Sequence, residues 1–129
     1  MRETTVTFGD YLKHKREEKQ ISLRELARRL ELSAPFLSDV ENNRRTPLTE
    51  ERLATLVDVL SLSKAEAAEM YDIVGQQKGL LPPDLNPYVN NRPYVNAALR
   101  TARNLEANEE DWQWFSEYLK NKYPQGKEL

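Results

Sequence analysis

The apolar residues of this chain recur at helical spacing, and turn formers interrupt them at short intervals. Between Phe8 and Gln20, Phe8, Tyr11 and Leu12 fall on one side, with Ile21 after a gap, while Lys13, Lys15, Arg16, Glu17, Glu18 and Lys19 make a polar face. Thr7 stands where an N-cap belongs, with Asp10 in the first turn. Ser22 restarts the pattern, with Glu25 at capping-box spacing. Leu23, Leu26, Ala27 and Leu30 then form a helical stripe. Ser33 caps a third helix, and Pro35 sits in its first turn, where a missing N–H costs nothing. Phe36, Leu37 and Val40 form the apolar side of that helix. Asn42-Asn43 ends it, because Asn tolerates the left-handed conformation. Thr49 opens a fourth stripe of Leu53, Leu56, Val57 and Leu60. Ser63 with Glu66 opens a fifth helix, which the pattern carries to about Val74 with Gly75 as its stop.

Residues 76–93 differ in character. QQKGLLPPDLNPYVNNRP holds four prolines and one glycine, so it cannot be one helix and reads as a linker with a single short helical turn. Tyr94 to Leu105 is helical again, with Val95, Leu99 and Ala102 on one side and Arg100 and Arg103 on the other. Asn108 caps a last helix from Glu109 to about Tyr123, striped by Trp112, Phe115 and Leu119 and flanked by Trp114 and Tyr118. Pro124-Gln125-Gly126 ends it, and a frayed tail follows. No strand pattern of useful length and no internal repeat is present. The chain therefore reads as all-α, with a five-helix domain over 1–75, a Pro-rich linker over 76–93 and a C-terminal helical segment over 94–129.

Composition narrows the chemistry. With 129 residues, 39% of them apolar and 31% charged, the chain has room for one domain or a small domain with an appendage. No apolar run approaches the roughly 20 residues that span a bilayer, and MRETTVTFGDYLKHK lacks a signal-peptide core. Both point to the cytoplasm and to no membrane partner. The absence of cysteine excludes disulfides, thiolate metal sites and cysteine nucleophiles. A single histidine, His14, leaves no metal cluster and no serine triad. The expectation is a protein without cofactor or metal that is not an enzyme. The formal net charge is −2, with ten Lys/Arg against nine Asp/Glu in residues 1–50 and nine against twelve in the remainder. Any affinity for nucleic acid must come from local placement of Arg and Lys.

The informative segment is Ser22 to Pro47, SLRELARRLELSAPFLSDVENNRRTP. Two short amphipathic helices meet through a three-residue connection, with Leu26, Ala27, Leu32, Leu37 and Val40 spaced to pack them at a steep angle. Ala27 is small where the helices must approach. This is helix-turn-helix geometry, whose second helix projects into a major groove about 12 Å wide. Leu-Ala-x-x-Leu (Leu26 to Leu30), Ser33, Leu37-Ser38-x-Val40-Glu41 and Arg44-Arg45-x-Pro47 together resemble the Cro/C1-type, or XRE-type, family of helix-turn-helix regulators. The resemblance covers Phe8 to about Val74. It implies a lambda-repressor-like five-helix fold and a sequence-specific transcriptional regulator, in particular a repressor that reads a palindromic operator in double-stranded DNA as a homodimer.

The resemblance also implies site residues. Ala34, Pro35, Ser38 and Asp39 should meet base edges, and Ser33 a phosphate at the helix N-terminus. Leu23 stands where the family often has a polar phosphate contact, so only its backbone N–H can serve. Asn42, Asn43, Arg44 and Arg45 should flank the groove. Arg16 and Glu41 match a pair that ties the first helix to the end of the third, with Arg16 also able to face phosphate. The departures are informative. Asn43 replaces the usual glycine, and no Arg, Lys, Gln or Asn occupies 34, 35, 38 or 39, so direct readout should be modest, with Arg44, Arg45 and DNA shape carrying part of the specificity. Arg24, Arg28 and Arg29 read as a basic patch or as a solvated helix face. Trp112, Trp114, Phe115 and Tyr118 read as a local core, a dimer interface or a groove for a protein partner within residues 80–129. The alternatives to a repressor are an autoregulating antitoxin that holds a toxin through its C-terminal helices, and a non-DNA interaction module that kept the fold.

Overall fold

The computed structural model describes residues 6–124. The expected frayed tail beyond Pro124 lies outside the described residues. Five helices build the first of two compact units: α1 (Phe8–Glu18), α2 (Leu23–Arg29), α3 (Ala34–Glu41), α4 (Glu50–Val59) and α5 (Lys64–Lys78). Among the described residues this unit extends to residue 86, and the second begins at residue 87. A short α6 (Asn86–Val89) bridges the two in sequence, and α7 (Pro93–Asn104) and α8 (Glu109–Lys122) form the second unit. All regular structure among the described residues is helical, as the apolar spacing predicts.

Each helix of the five-helix unit starts where a short polar side chain can take an orphan N–H. Thr7, Ser22, Ser33, Thr49 and Ser63 accept from Asp10, Glu25, Phe36, Arg52 and Glu66. Ser63–Glu66 and Asn108–Asp111 complete reciprocal capping boxes. Ser22–Glu25 does not, because the Glu25 carboxylate is bound by Arg28 Nη2 at 2.6 Å and Arg29 Nε at 2.7 Å instead. Phe8, Leu12, Leu26, Leu37, Val40, Leu53, Leu56, Leu60, Met70 and Val74 are fully buried in one continuous core. Each such side chain contributes roughly 2 kcal/mol of transfer free energy. Across that core α1 packs on α3 and α5, and α2 on α3.

The fifth helix departs from the sequence expectation. It continues through Gly75 to Lys78, and Gly79, at φ +68°, provides the left-handed cap. Gly75 serves a different purpose, because a Cβ there would stand 2.7 Å from Pro82 N and 2.8 Å from its Cα. The segment after α5 folds back across this glycine, and Pro83 is buried. Part of the Pro-rich stretch is thus packed against the first unit, while α6 supplies the single helical turn expected within it.

Candidate nucleic-acid interface

The connection from α2 to α3 turns on Glu31, whose φ of 59° lets Leu32 N donate to Ala27 O at 2.9 Å. Ala27 and Leu26 are buried beneath it. With Leu37 and Val40 facing inward, the opposite side of α3 is left at the surface: Pro35 is exposed, and Ala34, Ser38 and Asp39 are half-buried. Ser33 is exposed at the N-terminus of α3, and its hydroxyl accepts from Phe36 N at 3.1 Å. Leu23 is half-buried against the core, so its side chain serves packing. Asn42 Nδ2 donates to Ser38 O at 2.9 Å, holding the amide along the last turn.

The end of α3 is a Schellman cap. Asn43 takes φ 62°, Asn43 N donates to Val40 O at 3.1 Å, and Arg44 N donates to Asp39 O at 2.8 Å. The Asn43 side chain also faces α1, its Oδ1 accepting from Gly9 N at 3.1 Å. Gly9 makes that approach possible: a Cβ there would lie 2.5 Å from Asn43 Oδ1 and 2.6 Å from the Val40 and Glu41 carbonyls. The cap folds two arginines back beside the helix. Arg44 Nη1 lies 3.4 Å from Asp39 Oδ1, and Arg45 Nε lies 3.6 Å from Asp39 Oδ2. The Arg45 guanidinium also sits 4.4 Å from the Phe36 ring centroid. Both arginines remain well exposed, at 69% and 48% of their side-chain surface.

Beneath this surface, Arg16 and Glu41 form a bidentate pair, Nε to Oε2 at 2.7 Å and Nη2 to Oε1 at 3.1 Å. Glu41 is buried, and hydrogen bonding to it raises the Arg16 pKa. Arg16 Nη1 donates to Ile21 O at 2.9 Å. All three nitrogens of this side chain thus act within the protein, locking α1 to the end of α3. On α2, pairing with Arg28 first and Arg29 second holds the Glu25 carboxyl down at about 2. Two of the three α2 arginines thus share one carboxylate, which lowers the charge of that cluster and favours its solvated-face reading.

The second unit presents a different surface. Trp112, Trp114, Phe115 and Tyr118 are all exposed, Trp114 by 67%. Trp112 meets Phe115 edge-on at 6.1 Å, and Trp114 stacks on Tyr118 at 5.5 Å. Trp112, Trp114 and Phe115, with Val95, Leu99 and Leu119, line an apolar groove of about 660 Å³. The local-core reading is therefore corrected, because two helices of this length cannot enclose four large aromatics.

Three residues take roles here that the sequence pattern did not assign them. Gly9 seats α1 on α3, Phe36 carries the Arg45 guanidinium, and Arg52 ties α4 to the end of α2 through Nε to Leu30 O at 3.1 Å. Only the Phe36–Arg45 contact had a local signal, since an aromatic two turns before an arginine beyond a helix stop is in reach of it.

A family model describing a helix-turn-helix domain matches residues 7–70. The ImmF control region 10 kDa protein of Bacillus phage phi105 is 36% identical over 68 residues, covering 48% of this chain and 76% of that protein. Among solved structures, the chain is similar to the master regulator for biofilm formation SinR in complex with DNA, with 33% identity over 45% of this chain and 95% of that one and a TM-score of 0.40. It is also similar to the clp gene regulator ClgR of C. glutamicum, with 34% identity, 49% and 85% coverage and a TM-score of 0.41.

Proposed function

The chain belongs to the Cro/C1-type, or XRE-type, helix-turn-helix family and is a DNA-binding transcriptional regulator, and we propose that it reads the major groove with α3 and represses transcription by binding a palindromic operator as a dimer in the cytoplasm. The observation that carries this reading is the outward side of α3, where Ala34, Pro35, Ser38 and Asp39 share one surface between Ser33 at one end and Asn42, Asn43, Arg44 and Arg45 at the other. In this reading Ala34 and Pro35 meet thymine methyl groups, and the Ser38 hydroxyl meets a base edge. Ser33 and the backbone N–H of Leu23 approach phosphates. Arg44 and Arg45 neutralise the backbone beside the groove. Residues 1–75 are then the DNA-binding domain. The aromatic face of α7 and α8 supports a second copy of the chain as the partner, which would set two recognition helices one DNA turn apart, about 34 Å.

A second reading rests on the same apolar groove. In it the chain is an antitoxin whose C-terminal helices hold a small toxin while the first unit represses their shared operon. Sedimentation of the purified protein separates the two: a dimer at micromolar concentration supports self-association, and a monomer that associates only with the product of an adjacent gene supports the antitoxin. The function itself is tested by mixing purified protein with fragmented genomic DNA at moderate salt and sequencing what is retained. Enrichment of one palindromic site is expected, and retention without sequence preference would overturn the reading.

A further inference from the structure

The Schellman cap that ends α3 also ends α1, α2, α4, α5 and α7, through Gln20, Glu31, Ser61, Gly79 and Glu106 in the left-handed region. This motif places the side chain after the left-handed residue over the side chain five positions earlier, and the contact is commonly apolar. In the other five helices the later residue is apolar: Ile21, Leu32, Leu62, Leu80 and Ala107. At α3 alone it is charged, and the cap stacks Arg44 over Asp39. Arg45 adds a second guanidinium to the same carboxylate, 3.6 Å away, and is steadied by the Phe36 ring. Exposed ion pairs of this kind add little to folding stability, so the fold does not account for the arrangement. Its place on the proposed reading surface does.

We infer that Asp39 determines specificity by acting through Arg44 and Arg45: it holds both guanidinium groups at the end of α3 and releases them to phosphate where a base-edge amino group takes their place on its carboxylate. The inference rests on the reading of α3 as the groove helix. The free protein carries two positive charges and one negative charge at this point, so its attraction for any phosphate backbone is reduced. On an arbitrary sequence, engaging both arginines with phosphates strands the Asp39 carboxylate near acceptors such as guanine O6 and N7 or thymine O4, which repel it. On a sequence that presents a cytosine N4 or adenine N6 amino group, the carboxylate accepts a new hydrogen bond. Asp39 is thus a positioning residue for the arginines, and its own contact with the base is made only when they leave.

Asp39→Asn keeps the shape and removes the charge. The test compares wild type, Asp39→Asn, Arg44→Ala with Arg45→Ala, and the triple variant, on a mixed-sequence duplex and on the operator recovered from genomic DNA, across a salt series. Asp39→Asn is expected to bind the mixed duplex more tightly, with a salt slope steeper by about one. The operator-to-mixed ratio should fall by about tenfold, the weight of one base contact. In the double-arginine background the tightening on the mixed duplex should be lost, while the fall in the operator-to-mixed ratio, which reports the carboxylate's own base contact, should remain. Unchanged binding of the mixed duplex by Asp39→Asn would overturn the inference and leave Asp39 as a simple base reader. Equal tightening in the double-arginine background would also overturn it, showing repulsion through space instead. Wild type that retained no duplex at low salt would sink the underlying reading of α3, a result distinct from both.

Discussion

Gly9→Ala measures how closely α1 is seated on the end of α3. A methyl group there would stand within 2.6 Å of the Val40 and Glu41 carbonyls, so the helices must separate, at a cost of about 1–3 kcal/mol. Thermal unfolding should show a lowered Tm, and an unchanged Tm would mean that this contact is looser than the geometry requires. The sequence does not expose this, because a helical glycine reads locally as a weak helix former and its partner lies far along the chain. Gly75 misleads for the same reason. A stop and a close approach both call for glycine, and only the fold distinguishes the residue under Pro82 from the true cap at Gly79. Asp39 and Arg44 are the opposite case. Once Asn43 is read as the left-handed residue, the cap register alone sets those two side chains together.

Element by element, the first unit is held by polar contacts that join helix ends. Lys15 Nζ lies 2.9 Å and Lys19 Nζ 3.7 Å from Glu66, and Tyr11 Oη donates to Glu66 O at 2.6 Å, fastening α1 to the start of α5. The Ser63 N–H first, and Lys15 second, hold the Glu66 carboxyl at about 2, below its ordinary 4.5. A depressed carboxyl stabilises the fold fully above its unfolded value, and this contribution is lost as pH falls from about 4.5 toward 2. Acid unfolding of Glu66→Gln should therefore depend less steeply on pH across that window, and parallel wild-type and variant curves would contradict the assignment. At the surface, Arg44→Ala with Arg45→Ala should weaken binding to the operator more than to mixed sequence, because only the operator frees both arginines from Asp39. The salt slope should fall by about two, one for each lost phosphate contact. A change in base preference at constant slope would instead make these arginines base readers. The elements themselves were legible, since five N-caps, the apolar stripes and the α3 stop stand in the sequence as they stand in the fold. Glu25 was the exception, because capping-box spacing cannot show that two arginines on the same helix compete for the carboxylate.

For the molecule as a whole, two compact units carry two kinds of surface, the outward side of α3 with Arg44 and Arg45 beyond its C-terminal end and an open aromatic groove. Trp112→Ala with Phe115→Ala should abolish self-association in sedimentation and weaken operator binding, while the first unit keeps its helical signal. A variant that stayed dimeric would move the interface elsewhere. What covers the groove was not legible in the sequence, because periodicity gives an apolar face without its partner. The central claim is that α3 reads the major groove of a specific site, and the most direct test is interference mapping on the recovered operator. Hydroxyl-radical protection should fall in two half-sites about 10 base pairs apart. Replacing thymine by uracil within them should weaken binding, because Ala34 and Pro35 would lose the methyl groups they meet. Protection without half-sites, or binding indifferent to every major-groove methyl and amino group, would contradict the account.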